Sequence, residues 1–566
     1  MGLLSELRKD RQIKRELNRA QKNNQIASLN AKTKAMEASI ATVERFANSG
    51  YSHGGASRGE TWAKHYHSES LSARSDIEMN RKTLRERCRD LAMNAPLATA
   101  AISSTRTSVV GPGLVPKPKI DYEFLGISQQ EAEQLQKQIK NEFNLWAEST
   151  QCDNNDQNNF YALQQIAFND WLKNGEEFCL IKQGEPKPNM PYQLRLKLIE
   201  ADRVSTPNSF SAEYDGIDKK LPDGSRIMNG VEIDADGKVV AYHISSNYPG
   251  EYNEGISKWH RVEKRGRRTG NPNILHIFNA ERAEQYRGVP FLAPVIQTIK
   301  QVSRYTEAEI MAAVINAMFA VFITTEEGDE IEGFGGVDEE DLDAQAIGGA
   351  PNGEDQFKLG SGTINFLKNG EGVHPVESKH PSGNYDAFIK AMSMQIGAAL
   401  EIAPEVLLKQ FTNNFSASKG ALNESWKAFK MRRRWFVDDF CKEVYDLWFA
   451  EAVAKGRIHA PGFFTDPLIR KMYTNCTWTG PAQGCLNPAQ EATAAVIRIE
   501  NGLSTREDEC AYINGSDYDD NVRTLKSENE RLAEANRCLG SVESNSNIEN
   551  MDNQDEDEED EDAKKD

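Results

Sequence analysis

The chain has 566 residues, of which 39% are hydrophobic and 27% charged, and its formal net charge is −19 at neutral pH. That length suits two to four domains or one large elaborated subunit, and that apolar content builds a packed core and excludes general disorder. A mean hydropathy of −0.64 points to long exposed helices or polar interfaces.

The first residues, MGLLSE, lack the basic, apolar and small-residue order of a signal peptide, and Glu6 stands where a myristoylation signal needs Ser or Thr. The expectation is a soluble protein kept in a cytosol. Leu3 to Phe46 reads as a basic helix, and Ser49 to Glu60 as a Gly/Ser/His-rich linker. A second basic helix covers Arg81 to Met93, before Asn94-Ala95-Pro96. The stretch ATAAISSTRTSVVGPGLVPKP reads as a helix stopped by Gly-Pro-Gly. Phe160 to Trp171 carries helical apolar spacing at Leu163, Ile166 and Ala167, and Lys173-Asn174-Gly175 ends it. GEEFCLIK and LRLKLIEADRV read as strands, the second alternating at Leu194, Leu196 and Leu198. In GVEIDADGKVVAYHI, two alternating runs flank Asp236-Gly237, a strong hairpin signal. Asp234 and Asp236 resemble the start of a calcium loop, but the later ligands and closing glutamate are missing.

Gly288-Val-Pro290 opens a long helix to about Met318, with a stripe of Leu292, Val295, Ile299, Val302, Thr306, Ile310, Ala313 and Ala317. The nearly apolar run Ile310 to Ile323 is broken by Asn316 and too short to span a bilayer. Asp329 to Pro381 is Gly- and acid-rich, with a short strand TINFL and a short helix at Glu339 to Gln345. Tyr385 to Glu401 is a further long helix, broken at Ala403-Pro404. A polar loop then leads to Ser416, placed to cap a helix from about Ala417 to Ala454. The apolar stripe of that helix runs Leu422, Trp426, Phe429, Phe436, Phe440, Val444 and Leu447, and Arg433 stands in it. An arginine on an apolar stripe must snorkel, pair with an acid, or sit at a subunit boundary. Beyond Gly456 come a Pro/Cys/Trp segment and helices at about Ala489 to Glu500 and Thr524 to Arg537. The fold class is α+β with an antiparallel sheet. From Asp552 to Asp566 the chain holds ten acids and two lysines, which reads as a solvating tail.

Catalytic signatures are absent. There is no Walker loop, HExxH or nucleophile elbow. Gly111-Pro-Gly113 and Gly360-Ser-Gly362 lack the context of a dinucleotide site. Ser416-Ala-Ser418-Lys419 matches SxxK, an acyl-enzyme signature, but without its SDN-like and KTG-like partners. The eight cysteines are irregularly spaced and the histidines scattered, so neither a metal nor a cofactor is expected.

The order of elements resembles the lambda-type family of phage portal proteins. The resemblance covers roughly Arg81 to Asp520. It rests on NAPLATAAISSTRTSVVGPGLVPKP, FNDWLKNGEEFCLIK, LRLKLIEADRV and GVEIDADGKVVAYHI, then LGSGTINFLKNGEGV and NNFSASKGALNESWKAFKMRRRW. The most specific stretch is ILHIFNAERAEQYRGVPFLAP, which fits HxF/ERxxQxRGVPxLAP. What this implies is a ring of about twelve subunits at one capsid vertex. Double-stranded DNA would enter through its channel, driven by terminase, and later leave toward the tail. The implied parts are an N-terminal basic arm and linker (1–80), a wing with an antiparallel sheet (81–288) and stem helices (289–318 and 385–402). A clip (319–384), a tunnel loop (403–416), a long wing helix (417–455), a crown (456–540) and a disordered acidic tail (541–566) complete them. The resemblance places Lys409, Gln410, Thr412, Asn413 and Asn414 in the loop facing DNA, and Arg432, Arg433 and Arg434 near a neighbouring subunit. It also implies terminase, the major capsid protein or scaffold, and head-completion or tail connector proteins as partners, with no membrane and no enzymatic activity. The location implied is the portal vertex of the virion, after assembly in the host cytoplasm. The sequence departs from the family near Gln410, where an acid is usual, and at Lys419, where arginine is.

Acidity suits a channel. Each phosphate neutralised by a fixed cation adds affinity that acts as friction on a moving duplex, whereas an acidic ring repels phosphate. Two other readings compete. One is a non-channel capsid or scaffold protein. The other is a serine acyl-transfer enzyme using Ser416 and Lys419.

Overall fold

A computed structural model describes residues 68–207, 219–248, 258–317, 321–323, 364–366, 385–411, 415–484 and 487–539, with scattered positions before 68. For 315–317, 321–323, 364–366, 415–416 and 536–539 only the backbone is described. The chain divides into two units, Met1–Ser72 and Ala73–Asp566. In the first, the described residues 22, 29, 30, 32–34 and 36 are helical, within the expected N-terminal helix. The expected helix at Glu339 to Gln345 and the acidic tail lie outside the described residues.

The second unit mixes helices with antiparallel sheets. A π-helical turn, Arg74–Glu78, leads into α1 (Arg81–Asn94) and α2 (Pro96–Val109). They are separated by Ala95, which is extended because a residue preceding proline avoids the helical region. Strand β1 (Val115–Pro118) follows, then a short α3 (Tyr122–Leu125) and α4 (Gln129–Ala147). Sequence reading passed over α4. Its start is a capping box in which Ser128 and Glu131 satisfy each other's backbone N–H groups, a signal visible as S-x-x-E. Helix α5 (Phe160–Asn174) is capped by Asn159 and stopped by Gly175, as expected from Lys173-Asn174-Gly175.

The expected strands form around two sheets. In the first, β2 (Glu176–Gln183) is central, between β3 (Leu194–Glu200) and β9 (Ile274–Phe278), both antiparallel to it. The second is an antiparallel meander of β4 (Lys219–Lys220), β5 (Arg226–Met228), β6 (Val231–Ile233), β7 (Val239–Ser245) and β8 (Trp259–Glu263). The β6–β7 turn is the hairpin read from Asp236-Gly237. Asp234 Oδ1 accepts the backbone N–H groups of Asp236 and Lys238 at 3.0 and 2.8 Å, so this aspartate organises a turn.

Helix α6 (Ile296–Ala317) begins later than expected, because Pro290 and Pro294 hold the approach in a turn and a short 3-10 segment, Ala293–Val295. Its anticipated stripe divides. Leu292, Val295, Ile299 and Val302 are buried, while Ile310 is 59% exposed. Strands β10 (Val321–Ile323) and β11 (Ile364–Phe366, within TINFL) pair in parallel. Helix α7 (Tyr385–Leu400) and the short α8 (Pro404–Leu408) lead to α9 (Phe415–Phe436), which continues through a π-helical turn, Val437–Cys441, into α10 (Lys442–Ala454). Because α9 starts at Phe415, Ser416 lies inside its first turn and is not its cap. The described residues close with α11 (Pro467–Tyr473), β12 (Cys476–Thr479), α12 (Pro488–Glu500), α13 (Arg506–Ile513) and α14 (Tyr518–Leu539). Strand β12 pairs antiparallel with β1, tying the late chain to the early one.

The main core gathers Phe143, Trp146, Phe160, Phe440, Tyr445 and Trp448, so α4, α5 and α10 share one aromatic centre. Phe143 meets Trp448 edge-on at 5.0 Å, a favoured aromatic geometry. A second cluster, including Phe178, Val204, Val231, Tyr242 and Ile274, fills the space between the two sheets.

Candidate functional site

The stretch with the strongest sequence signal is a buried clamp. Glu176 and Arg287 are both fully buried. Arg287 Nε lies 2.8 Å from each Glu176 carboxylate oxygen, and its other nitrogens donate to the carbonyls of Ala201, Val204 and Asn229. Glu176 also accepts from Arg85 Nη2 at 2.8 Å, His276 Nε2 at 2.9 Å and the Gly288 N–H at 3.0 Å. Burial alone would raise the Glu176 pKa, but Arg287 and His276 hold its carboxyl well below the usual range. His276 is stacked between Phe178 and Phe278, at 4.2 and 4.1 Å. Burial pushes its pKa down to about 4, against the pull of Glu176, so it donates as a neutral ring.

The rest of the motif serves the same clamp. Gln285 accepts the backbone N–H groups of Glu281 and Arg282 and donates to the Arg287 carbonyl. A Cβ on Gly288 would stand 2.0 Å from the Gly175 carbonyl oxygen, so only glycine lets the two segments cross. HxF and ERxxQxRGVP thus converge on one carboxylate and join α1, β2, β9 and the approach to α6. Sequence reasoning found the motif but not Glu176, which lies 100 residues from His276 with no spacing signal to link them.

The loop and the arginines form a second region. Lys409 ends α8 in the left-handed conformation, φ 54°, and both Lys409 and Gln410 are exposed. Phe411 is 59% exposed. Thr412, Asn413 and Asn414 lie outside the described residues. The base of the loop is fixed, since the Ala403 N–H donates to Ser425 Oγ at 2.7 Å and Leu407 is buried. A groove of about 620 Å³ opens between the end of α7, the turn into α8, and α9, lined by Met394, Gly397, Pro404, Ala421, Ala428 and Met431 among others.

Three consecutive arginines point three ways from α9. Arg432 is buried and donates to the Leu400 carbonyl and to Glu401, at 2.9 and 2.8 Å, where α7 ends. Arg433 donates to the carbonyls of Ser108 and Val109, where α2 ends, and to that of Pro481, at 2.8 to 2.9 Å. Its guanidinium lies over Trp426 at 5.7 Å. Burial brings its pKa down to about 10, which keeps it charged at neutral pH. Within this chain, Arg433 neither snorkels nor pairs with an acid. It sits at the negative end of another helix, where a cation is favoured. Arg434 is 76% exposed and pairs with Asp438, one turn on, at 2.8 Å.

The acyl-enzyme reading meets an obstacle. Lys419 Nζ lies 3.2 Å from Glu491 Oε1, and an ammonium engaged by a carboxylate has no lone pair to take a serine proton. Among the described residues, no group of three or more His, Cys, Asp or Glu side chains could hold a metal ion, and no helix is long and apolar enough to cross a membrane.

Known proteins share this chain's organisation. It is 23% identical over 494 residues to the portal protein of Escherichia phage N15, covering 82% of this chain and 87% of that one. It is 24% identical over 445 residues to portal protein B of Escherichia phage lambda, covering 76% and 80%. Among solved structures, the neck of a native gene transfer agent particle, computed with C12 symmetry, aligns at 12% identity and a TM-score of 0.34, covering 75% of this chain and 92% of that one. Residues 60–433 match the phage portal protein, lambda family. The chain belongs to the lambda family of phage portal proteins.

Proposed function

We propose that this chain is a portal subunit that closes by head-to-tail contacts into a ring of about twelve copies at one capsid vertex. The ring's channel passes double-stranded DNA inward under terminase and outward toward the tail, without reading its sequence. The observation that carries this is family membership across residues 60–433, joined to similarity along most of two phage portal proteins.

The parts follow the expected division. Residues 81–288 form the wing, 289–318 and 385–402 the stem helices, 319–384 the clip, 403–416 the tunnel loop, 417–455 the long wing helix and 456–540 the crown. The clip receives terminase and then head-completion or tail connector proteins, and the outer surface meets capsid protein or scaffold. Lys409 and Gln410, exposed at the end of a short helix, support the loop's role as a light contact with DNA, shared with Thr412, Asn413 and Asn414. Of the arginines, the exposed Arg434 faces the neighbouring subunit, and Arg432 and Arg433 fix the helix ends behind it. The subunit acts as a conduit and needs no catalytic centre or cofactor.

The test is packaging. Capsid shells assembled with this chain, supplied with terminase, ATP and linear duplex DNA, should protect DNA of several unrelated sequences from nuclease. Shells lacking the chain should protect none. Protection without the chain would transfer the role to another protein and leave a non-channel structural part.

A further inference from the structure

Next to the clamp, on the opposite face of β2, stands Glu177. It is 1% exposed, and neither of its carboxyl oxygens has a hydrogen-bond partner. Its cross-strand partner on β3 is Glu200, whose side chain shares that face. Asp170 of α5 bears on the same place, and Glu176 adjoins it in the strand. The nearby cations are committed elsewhere. Arg85 of α1 binds Glu176 and Asp202. Arg89 of α1 binds Asp202 at 2.5 Å, Glu200 at 3.5 Å and the Asn174 side chain at 2.6 Å. Lys173 of α5 acts on Asp170, and Tyr248, beyond β7, faces the cluster with its phenol.

An anion at Glu177 would therefore be a buried charge with no hydrogen-bonded counterion, offset only by the distant pull of Arg85 and set among like charges, a costly arrangement in a protein interior. The enclosure leaves the proton as the ligand small enough to relieve it. We propose that Glu177 is a proton-binding site, coupled to Asp170 and Glu200, that latches α1 and α5 onto the β2–β3 pair while its proton is bound and loosens them when the proton leaves. Desolvation, reinforced by Asp170 and Glu200, raises the Glu177 pKa well above the carboxylate range, and burial with Glu200 brings Asp170 up to about 6. The folded state then holds a proton that the unfolded chain releases. The stability this provides is complete at and below the unfolded value of 4.5 and declines as pH rises through the folded value.

The experiment compares the full chain with Glu177→Gln, which mimics the protonated group. Denaturant unfolding is measured between pH 6 and pH 9, with amide exchange across residues 81–94 and 160–174. The ratio of the two proteins' unfolding constants should change by up to about tenfold per pH unit, the slope of one linked proton. Exchange in α1 and α5 should quicken with pH beyond the intrinsic rate in the native chain only. A ratio that does not move with pH overturns the proposal. Should the variant not fold, infrared spectra of native chain with ¹³C-labelled glutamate carboxyls decide it. The Glu177 pKa is raised well above the carboxylate range, so a protonated-carboxyl band at pH 7 that fades in alkali supports the site, and its absence at pH 7 refutes it.

Discussion

The clamp around Glu176 and the region from Glu401 to Arg434 are built in opposite ways. In the clamp, Arg287 spends its donors on one carboxylate and three carbonyls inside the subunit, and both Arg287 and Glu176 are fully buried. In the second region only the foundations are fixed, by Arg432, Arg433 and Ser425, while Lys409, Gln410, Phe411 and Arg434 are exposed. The family's most specific motif is thus a device for holding the subunit together. Lys409, Gln410 and Arg434, proposed to meet DNA and a neighbouring subunit, are exposed instead.

Breaking the clamp should have the largest effect. Arg287→Ala strands the Glu176 carboxylate and should cost about 3–5 kcal/mol of unfolding free energy, read by denaturant titration. A loss under about 1 kcal/mol would erase the contrast between the regions. Arg433→Glu comes next, since it sets a negative charge against carbonyls at a helix end. It should cost about 2–4 kcal/mol and lower soluble yield and assembly before it alters DNA passage. Rings that form normally but fail to package would show that Arg433 acts on DNA and not on helix ends.

Acid sharpens the comparison further. His276 has a folded pKa of about 4 against 6.5 when unfolded, and Glu176 is also depressed. For both, the unfolded chain binds protons first, so the stability these two groups contribute is whole above about pH 6.5 and is lost as pH falls through 4 and below. His276→Gln should flatten the upper part of this decline, measured by thermal unfolding between pH 7 and pH 4. The smallest effect belongs to the loop. Lys409→Ala and Gln410→Ala should change stability by no more than about 0.5 kcal/mol. Lys409→Ala should still change the rate or salt dependence of packaging, which would separate a contact role from a structural one.

Much of the fold was legible in the sequence. The 3.6-residue stripes gave α5 and α9, period-two alternation gave β3, and Asp236-Gly237 gave the β6–β7 hairpin, because each depends on neighbours in sequence. Residues that act across the chain were not legible. Glu176 looks like any strand glutamate until Arg85, His276 and Arg287 arrive from distant elements. Arg433 looked misplaced on its stripe because the carbonyls it serves belong to α2, more than 300 residues earlier. The late start of α6 follows from Pro294, whose missing N–H and fixed φ delay the helix that the stripe alone would begin at Leu292.

The central claim is a ring with an open channel. Electron microscopy of the purified full chain, with class averages sorted by symmetry, tests it most directly. The expected result is rings of about twelve subunits around an opening of roughly 20 Å or more, enough for a double helix. Compact monomers or dimers that persist when capsid and scaffold proteins are co-expressed, or rings closed to duplex DNA, would contradict it.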